Sequence, residues 1–168
     1  SENNIFEEIT FHDGVNIILG EKYDDRSVKG RKTNGVGKSM SIEFLDFCFL
    51  NDYEKSRIVK IPKEVFPVEE NVILDLDIGQ ETVTIKRNRK QADKPILIRE
   101  GKTVSFDKIQ DARDYLTGII FSKLNGKKVP SFRNLFSILM RDERSEFTDI
   151  IKCHDLTKKI PDDLSAHL

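Results

Sequence analysis

The feature that most constrains the fold is a glycine-rich segment, Asn-Gly-Val-Gly-Lys-Ser at residues 34–39. The apolar run Val15–Leu19 precedes it and predicts a buried strand. Residues 39–50 follow it and are apolar almost all round, which predicts a helix that is buried on most sides. A strand, a glycine-rich loop and a helix in this order form the context in which backbone amides bind polyphosphate. The sequence therefore predicts a P-loop at residues 33–39.

Each residue type in this segment suits phosphate chemistry. Gly35 and Gly37 let the backbone approach a phosphate closely, because glycine has no side chain and accepts positive φ angles. Lys38 supplies a positive charge, and the Ser39 hydroxyl is the predicted Mg²⁺ ligand at the start of the helix. We expect ATP and Mg²⁺ as the ligands. The predicted nucleotide-binding residues are Asn34, Gly35, Val36, Gly37, Lys38, Ser39 and Met40.

One position departs from the usual P-loop pattern. The pattern places its first glycine at residue 32, which is a lysine here, whereas Gly20 ends the preceding strand. We interpret residues 21–32 as a charged insertion between Gly20 and the rest of the loop. The insertion could close over nucleotide phosphates or could be an ordinary surface loop, and the sequence leaves both interpretations open.

The remaining segments predict an α/β fold with a mixed sheet. Residues 5–11 and 15–19 flank a turn signal and predict a hairpin, and alternation over residues 72–105 predicts an antiparallel β-meander. Helical spacing predicts helices at 107–118, with Asp107 as the cap, and at 131–141, with Ser131 as the cap.

Charge and composition exclude several classes of protein. The 28 basic and 29 acidic residues nearly cancel, so the bulk charge does not favour a nucleic-acid or membrane surface. The basic run Lys86–Lys90 is a local exception, interpreted either as a solvated hairpin tip or as a contact with a nucleic-acid backbone, with Arg87 alternatively supporting the nucleotide site. Cys48 lies in an apolar run and is predicted to belong to the core. No zinc-binding spacing, signal peptide or membrane-spanning stretch is found, which favours a cytoplasmic protein and no membrane partner.

The segment before and through the P-loop resembles the N-terminal lobe of SMC-like ABC ATPases, including the RecF and RecN groups. A closer resemblance is to a bacterial group of SMC-like proteins that also carry a charged insertion before the P-loop and a segment like residues 130–135. The resemblance implies an ATPase lobe at 1–141 and the start of a linker or coiled coil at 142–168. The residues that match the lobe's motif are Phe11, Gly14, Asn16, Ile18, Gly20, Asn34, Gly35, Gly37, Lys38 and Ser39.

The same resemblance implies which parts of an ABC site are missing. The family's acidic Asp-Glu strand, which holds Mg²⁺ and polarises water, has no counterpart here, and neither does the signature motif. No glutamine occupies the expected Q-loop region, where Arg141, Asp142 or Glu143 would be the substitutes. We therefore expect a fragment whose catalytic acid lies in an absent C-terminal lobe. The expected partners are that lobe, a second ATPase head and DNA, and the chain alone is expected to be inactive.

Two other functions remain open from the sequence. Lys32 and the missing glutamine would also suit a degenerate, non-catalytic interaction module. A P-loop kinase of a small molecule or nucleoside is the other alternative, and it predicts parallel βα units after the first helix. The function implied by the resemblance is the ATP-binding half of an ATPase head that serves DNA maintenance, repair or defence.

Overall fold

The computed structural model describes residues 7–19, 38–123, 131–133 and 136 of the chain. Two short 3-10 helices, Tyr53–Lys55 and Arg57–Lys60, lie in the connector between the first helix and the sheet. The helices and strands are α1 (Lys38–Cys48), β1 (Asn71–Ile78), β2 (Glu81–Asn88), β3 (Ile96–Arg99), β4 (Lys102–Ser105) and α2 (Ile109–Ile120).

The four strands form an antiparallel sheet in the order β1-β2-β3-β4. They are the meander that alternation over residues 72–105 predicts, with β1 starting one residue earlier. Gly79 and Gly101 have φ angles of 69° and 71° in the tight turns of the two hairpins, a region that glycine enters without strain. The register aligns Ile85 with both Leu74 and Leu97, so one face of the sheet is continuously apolar.

Helix α2 covers part of this apolar face. Ala112, Leu116 and Ile119 are buried at spacings of four and three residues, which places them on one side of the helix against the sheet. The helix begins two residues later than predicted, and the predicted cap at Asp107 is wrong. Lys108 is the N-cap and makes no side-chain capping bond. The Asp107 carboxylate instead accepts a bond of 3.2 Å from Lys94 Nζ, which removes it from the helix end.

A second apolar cluster joins the end of α1 to the connector and to the start of β1. Glu43 of α1 fixes the connector, because its carboxylate accepts from the Ser56 hydroxyl at 3.2 Å and from the Arg57 backbone N–H at 3.0 Å. Phe44 packs edge-on against Phe66, with ring centroids 5.4 Å apart. The buried members of this cluster are Phe47, Cys48, Ile58, Phe66, Val72 and Ala92.

The predicted N-terminal hairpin is not formed within residues 7–19, which contain no strand or bridge. The Asn16 side chain bonds instead to the turn that precedes it: its Oδ1 accepts from the His12 N–H at 2.9 Å and its Nδ2 donates to the His12 carbonyl at 2.6 Å. Gly14, at φ 91°, turns the chain between the two residues. Residues 5 and 6 lie outside the described residues.

Helix α1 is buried less than the sequence predicts. Among residues 39–48, Phe47 and Cys48 at the C-terminal end are the buried ones, whereas Ser39 and Ile42 are exposed. The apolar residues of the first two turns have no complete cover among the described residues. An apolar face of this kind ordinarily packs against another element.

Candidate nucleotide-binding site

The predicted site straddles the start of α1. Asn34, Gly35, Val36 and Gly37 lie outside the described residues, as does the insertion at 21–32. The described part of α1 starts at Lys38, the lysine of the motif, so Lys38 and Ser39 both lie in a helix. The N-terminus of a helix carries free backbone N–H groups and a partial positive charge, both of which attract phosphate.

Ser39 and Met40 occupy the first turn of this helix in different environments. Ser39 is exposed, so its hydroxyl is accessible to a ligand. Met40 is half-buried and packs against the cluster around Phe47. Met40 thus anchors the first turn, while Ser39 faces outward.

The extended segment before the loop lies against α1 on one of its two faces. Asn16 and Ile18 point toward the helix and line a cleft of about 380 Å³ between segment and helix. Phe11, one of the motif residues, lines the same cleft. The complete lining is Phe11, Asn16, Ile18, Ser39, Ile42 and Leu45.

The opposite face of the segment is bare. Val15, Ile17 and Leu19 are 90%, 73% and 75% exposed. A stretch that is apolar on both faces is typical of a central strand with cover on each side. We call these three residues the apolar strip.

The far end of α1 is closed by a left-handed residue. The Leu50 N–H donates to the Phe47 carbonyl at 3.0 Å, and the Asn51 N–H donates to the Asp46 carbonyl at 3.2 Å. Leu50 has a φ of 63°, the conformation that a Schellman ending requires and that glycine usually supplies. The Leu50 side chain is fully buried, which offsets the strain of a branched residue in this region.

Arg87 of β2 binds carbonyls at the C-terminal end of α1 from the side of the sheet. Its Nη1 donates to the carbonyls of Phe47, at 2.6 Å, and Asn51, at 2.7 Å, and its Nε donates to the Ala92 carbonyl at 2.6 Å. Arg87 is 1% exposed, and its Nη2 has no hydrogen-bond partner among the described residues. Burial lowers the pKa of Arg87 to about 10, so the guanidinium remains charged at neutral pH.

Two further arginines bind neighbouring carbonyls from other directions. Arg113 of α2 donates to the Leu50 carbonyl through Nε, at 2.9 Å, and Nη2, at 2.6 Å. Arg133 donates through Nη1 to the Phe49 carbonyl at 3.1 Å and to the Asp46 carboxylate at 2.7 Å. We call Arg87, Arg113 and Arg133 the carbonyl clamp.

The clamp corrects the interpretation of the basic run Lys86–Lys90. Both of its arginines are buried, since Arg89 binds the Phe66 carbonyl at 2.7 Å and the Tyr53 hydroxyl at 3.1 Å. The run therefore does not present a continuous basic surface to nucleic acid. The period of two along β2 was the signal for this, because it places Arg87 on the same face as Val83 and Ile85.

Two features are absent from the described residues, a cluster of metal-binding side chains and a membrane-spanning helix. No group of three or more His, Cys, Asp or Glu side chains could hold a metal ion there. A P-loop Mg²⁺ requires no such group, because it takes its ligands largely from phosphate oxygens and water. No helix among these residues is long and apolar enough to cross a membrane.

The chain is similar to a curated Bacillus subtilis (strain 168) protein, "Uncharacterized protein YydD", with 29% identity over 146 residues. The match covers 82% of this chain and 23% of that protein, so the chain corresponds to less than a quarter of its relative's length. No protein-family model matches the chain. No solved structure matches it either.

Proposed function

We propose that this chain is the ATP-binding half of an SMC-like ABC ATPase head. The observation that carries the proposal is that Lys38 and Ser39, the last two residues of the motif at residues 34–39, are helical and open the described part of α1, with Ser39 exposed. A helix N-terminus that follows a glycine-rich segment and opens with lysine and serine has the donors that a polyphosphate needs.

The residues present fit ATP and Mg²⁺ in the chemistry of their donors. In the proposal, Lys38 binds the β and γ phosphates, the amides of residues 34–40 surround them, and the exposed Ser39 hydroxyl binds Mg²⁺. Bound Mg²⁺ would neutralise phosphate charge and position the γ-phosphoryl group for transfer. The chain's own contribution is to bind and orient the nucleotide.

The bare apolar strip supports a composite head. Val15, Ile17 and Leu19 form an exposed apolar surface on the segment before the P-loop, and such a surface ordinarily packs against a second layer. We propose that a C-terminal lobe covers this strip and brings the acidic residues for hydrolysis, and that a second head completes the ATP site. The proposed setting is a cytoplasmic protein of DNA maintenance, repair or defence.

The sheet supports this proposal over a kinase. A small-molecule kinase built on a P-loop would continue from α1 into parallel βα units. Here α1 leads through the connector into the antiparallel strands β1 to β4.

Binding of a fluorescent ATP analogue with Mg²⁺ to the purified chain tests the proposal. Wild type is compared with Lys38→Ala and with a matched control, Lys102→Ala, which removes an exposed lysine of β4. We expect saturable binding by wild type and by the control, and a dissociation constant at least about tenfold higher for Lys38→Ala. Absence of binding by wild type would favour the degenerate interaction module.

A further inference from the structure

We infer that the carbonyl clamp positions the phosphate-binding helix, so that Arg87, Arg113 and Arg133 are positioning residues of the nucleotide site. The inference rests on the proposed function, because it assigns these arginines an effect on ATP affinity. None of the three belongs to the predicted P-loop, and all act through the opposite end of α1.

The fully buried residues of the described part of α1 lie at its C-terminal end. Its 11 residues form a rod of about 16 Å at 1.5 Å per residue. The C-terminal residues Phe47 and Cys48 are buried, whereas Ser39 and Ile42 are exposed. Because a helix this short moves nearly as a rigid body, the contacts at its C-terminal end, together with the packing of Met40 and Phe44, set where its N-terminal end lies.

The carbonyl clamp holds the C-terminal end of α1 from three independent elements. Arg87 comes from β2, Arg113 from α2, and Arg133 from the helical residues near 132. Their targets are consecutive or nearly so along the chain, at the carbonyls of residues 47, 49, 50 and 51. Bonds from three directions restrict both translation and rotation of the helix end, which one capping residue cannot do.

Stability alone does not account for the carbonyl clamp. Burying a guanidinium is costly, and the Arg87 Nη2 remains buried without a partner among the described residues. A glycine at the position of Leu50 would close the helix by the common route, and water could bind the last carbonyls. What the arginines add is a single defined geometry, which a phosphate site needs because its donors must be placed to within about 0.5 Å.

The test compares nucleotide affinity with stability in matched variants. Arg87→Met, Arg113→Met and Arg133→Met each remove one arm of the clamp, and Leu97→Ala is a control that destabilises the core of the sheet without touching α1's carbonyls. The dissociation constant of a fluorescent ATP analogue with Mg²⁺ and the urea midpoint are measured for each. Arg113 and Arg133 are partly exposed, so their variants are informative even if Arg87→Met does not fold.

We expect a dissociation constant raised about tenfold in folded clamp variants, since small displacements of a site can cost this much or more. Leu97→Ala should lower the urea midpoint with less than about a threefold change in affinity. Arg113→Lys, which retains a charged donor for the Leu50 carbonyl, should recover part of the affinity lost in Arg113→Met.

Two results would overturn the inference while leaving the proposed function in place. One is wild-type affinity in all folded clamp variants. The other is an equal loss of affinity in Leu97→Ala, which would show a general effect of stability. If wild type itself does not bind the fluorescent ATP analogue, the inference and the proposed function are overturned together. The titration of wild type therefore separates this outcome from the two results above.

Discussion

Arg87 contacts Phe47 of α1 in two ways, through its ring and through its carbonyl. Its guanidinium carbon lies 4.1 Å from the centroid of the Phe47 ring, and its Nη1 donates to the Phe47 carbonyl at 2.6 Å. The ring face and the carbonyl both carry negative potential, so one cation satisfies the main chain and the side chain of a single buried residue. This pair links the sheet directly to the end of α1.

The first prediction concerns the shape of that cation. Arg87→Lys keeps a positive charge but cannot span the carbonyls of Ala92 and Phe47 together, so buried acceptors lose their partners. We expect the free energy of unfolding to fall by about 2–4 kcal/mol, measured by urea denaturation. Lys86→Ala, on the opposite face of β2, is the control and should change it by less than about 0.5 kcal/mol. Equal stability of Arg87→Lys and wild type would show that the bonds contribute nothing net.

The strands were predictable from the sequence because their pattern is local. Leu74, Val83 and Ile85 alternate with polar residues, and glycines mark the turns at residues 79 and 101. Arg87 was harder to place because arginine is rarely buried without a carboxylate partner. Its partners are backbone carbonyls from α1 and from the loop after β2, and a pattern within one segment contains no information about them.

The second prediction concerns acid stability and Asp52. Bonds from Lys55 Nζ, at 2.5 Å, and Arg113 Nη2, at 2.7 Å, lower the pKa of Asp52 from 3.8 to about 2. A lowered pKa in the folded state adds stability above pH 3.8, and this stability is lost as the pH falls through about 2. We expect the thermal midpoint of wild type to fall more over this range than that of Asp52→Asn.

The size of this effect should be small, because Asp52 is partly exposed. We expect a difference below about 1 kcal/mol, reduced further by about 0.5 M salt. Parallel midpoints for wild type and Asp52→Asn at every pH would contradict the assigned pairing with Lys55 and Arg113.

The third prediction concerns the buried thiol of Cys48. Burial raises the pKa of Cys48 from 9.0 to about 12, with the charge of Arg87 opposing the shift. The folded protein therefore keeps the thiol proton at pH 9 and above, where the unfolded chain loses it, so this group's contribution to stability falls between pH 9 and 12.

The reactivity of the Cys48 thiol checks its burial. In Cys153→Ser, which leaves Cys48 as the one thiol, a disulfide reagent at about pH 8 should react only as fast as the protein opens. Rapid reaction without urea would show that Cys48 is accessible.

The fourth prediction tests the left-handed turn at the end of α1. Leu50→Gly removes the strain of φ 63° but also deletes a fully buried side chain. The lost burial, about 2–5 kcal/mol, exceeds the relief of about 1–2 kcal/mol, so we expect a net loss of stability in thermal unfolding. Leu50→Ala keeps the strain and loses nearly the same burial, and it should be less stable than Leu50→Gly. The reverse order would mean that the turn carries no strain.

The N-terminal segment shows why part of the candidate site was misread. Its apolar run predicts a strand, but residues 7–19 contain no strand, and the Asn16 amide bonds to the backbone of His12 within the turn. An asparagine two residues after a glycine does not reveal from sequence whether its side chain faces solvent or closes a turn. The apolar character of Ile17 and Leu19 was read correctly, but the cover that would bury them is not among the described residues.

That bare strip has a practical consequence for handling the protein. Val15, Ile17 and Leu19 form an extended apolar stretch that lacks a strand partner among the described residues, which is the type of surface that recruits further chains. At high concentration the isolated chain should self-associate, and sedimentation velocity will show the average mass rising with concentration. Ile17→Lys should suppress this rise, which makes it a suitable background for nucleotide titrations that require a monodisperse sample.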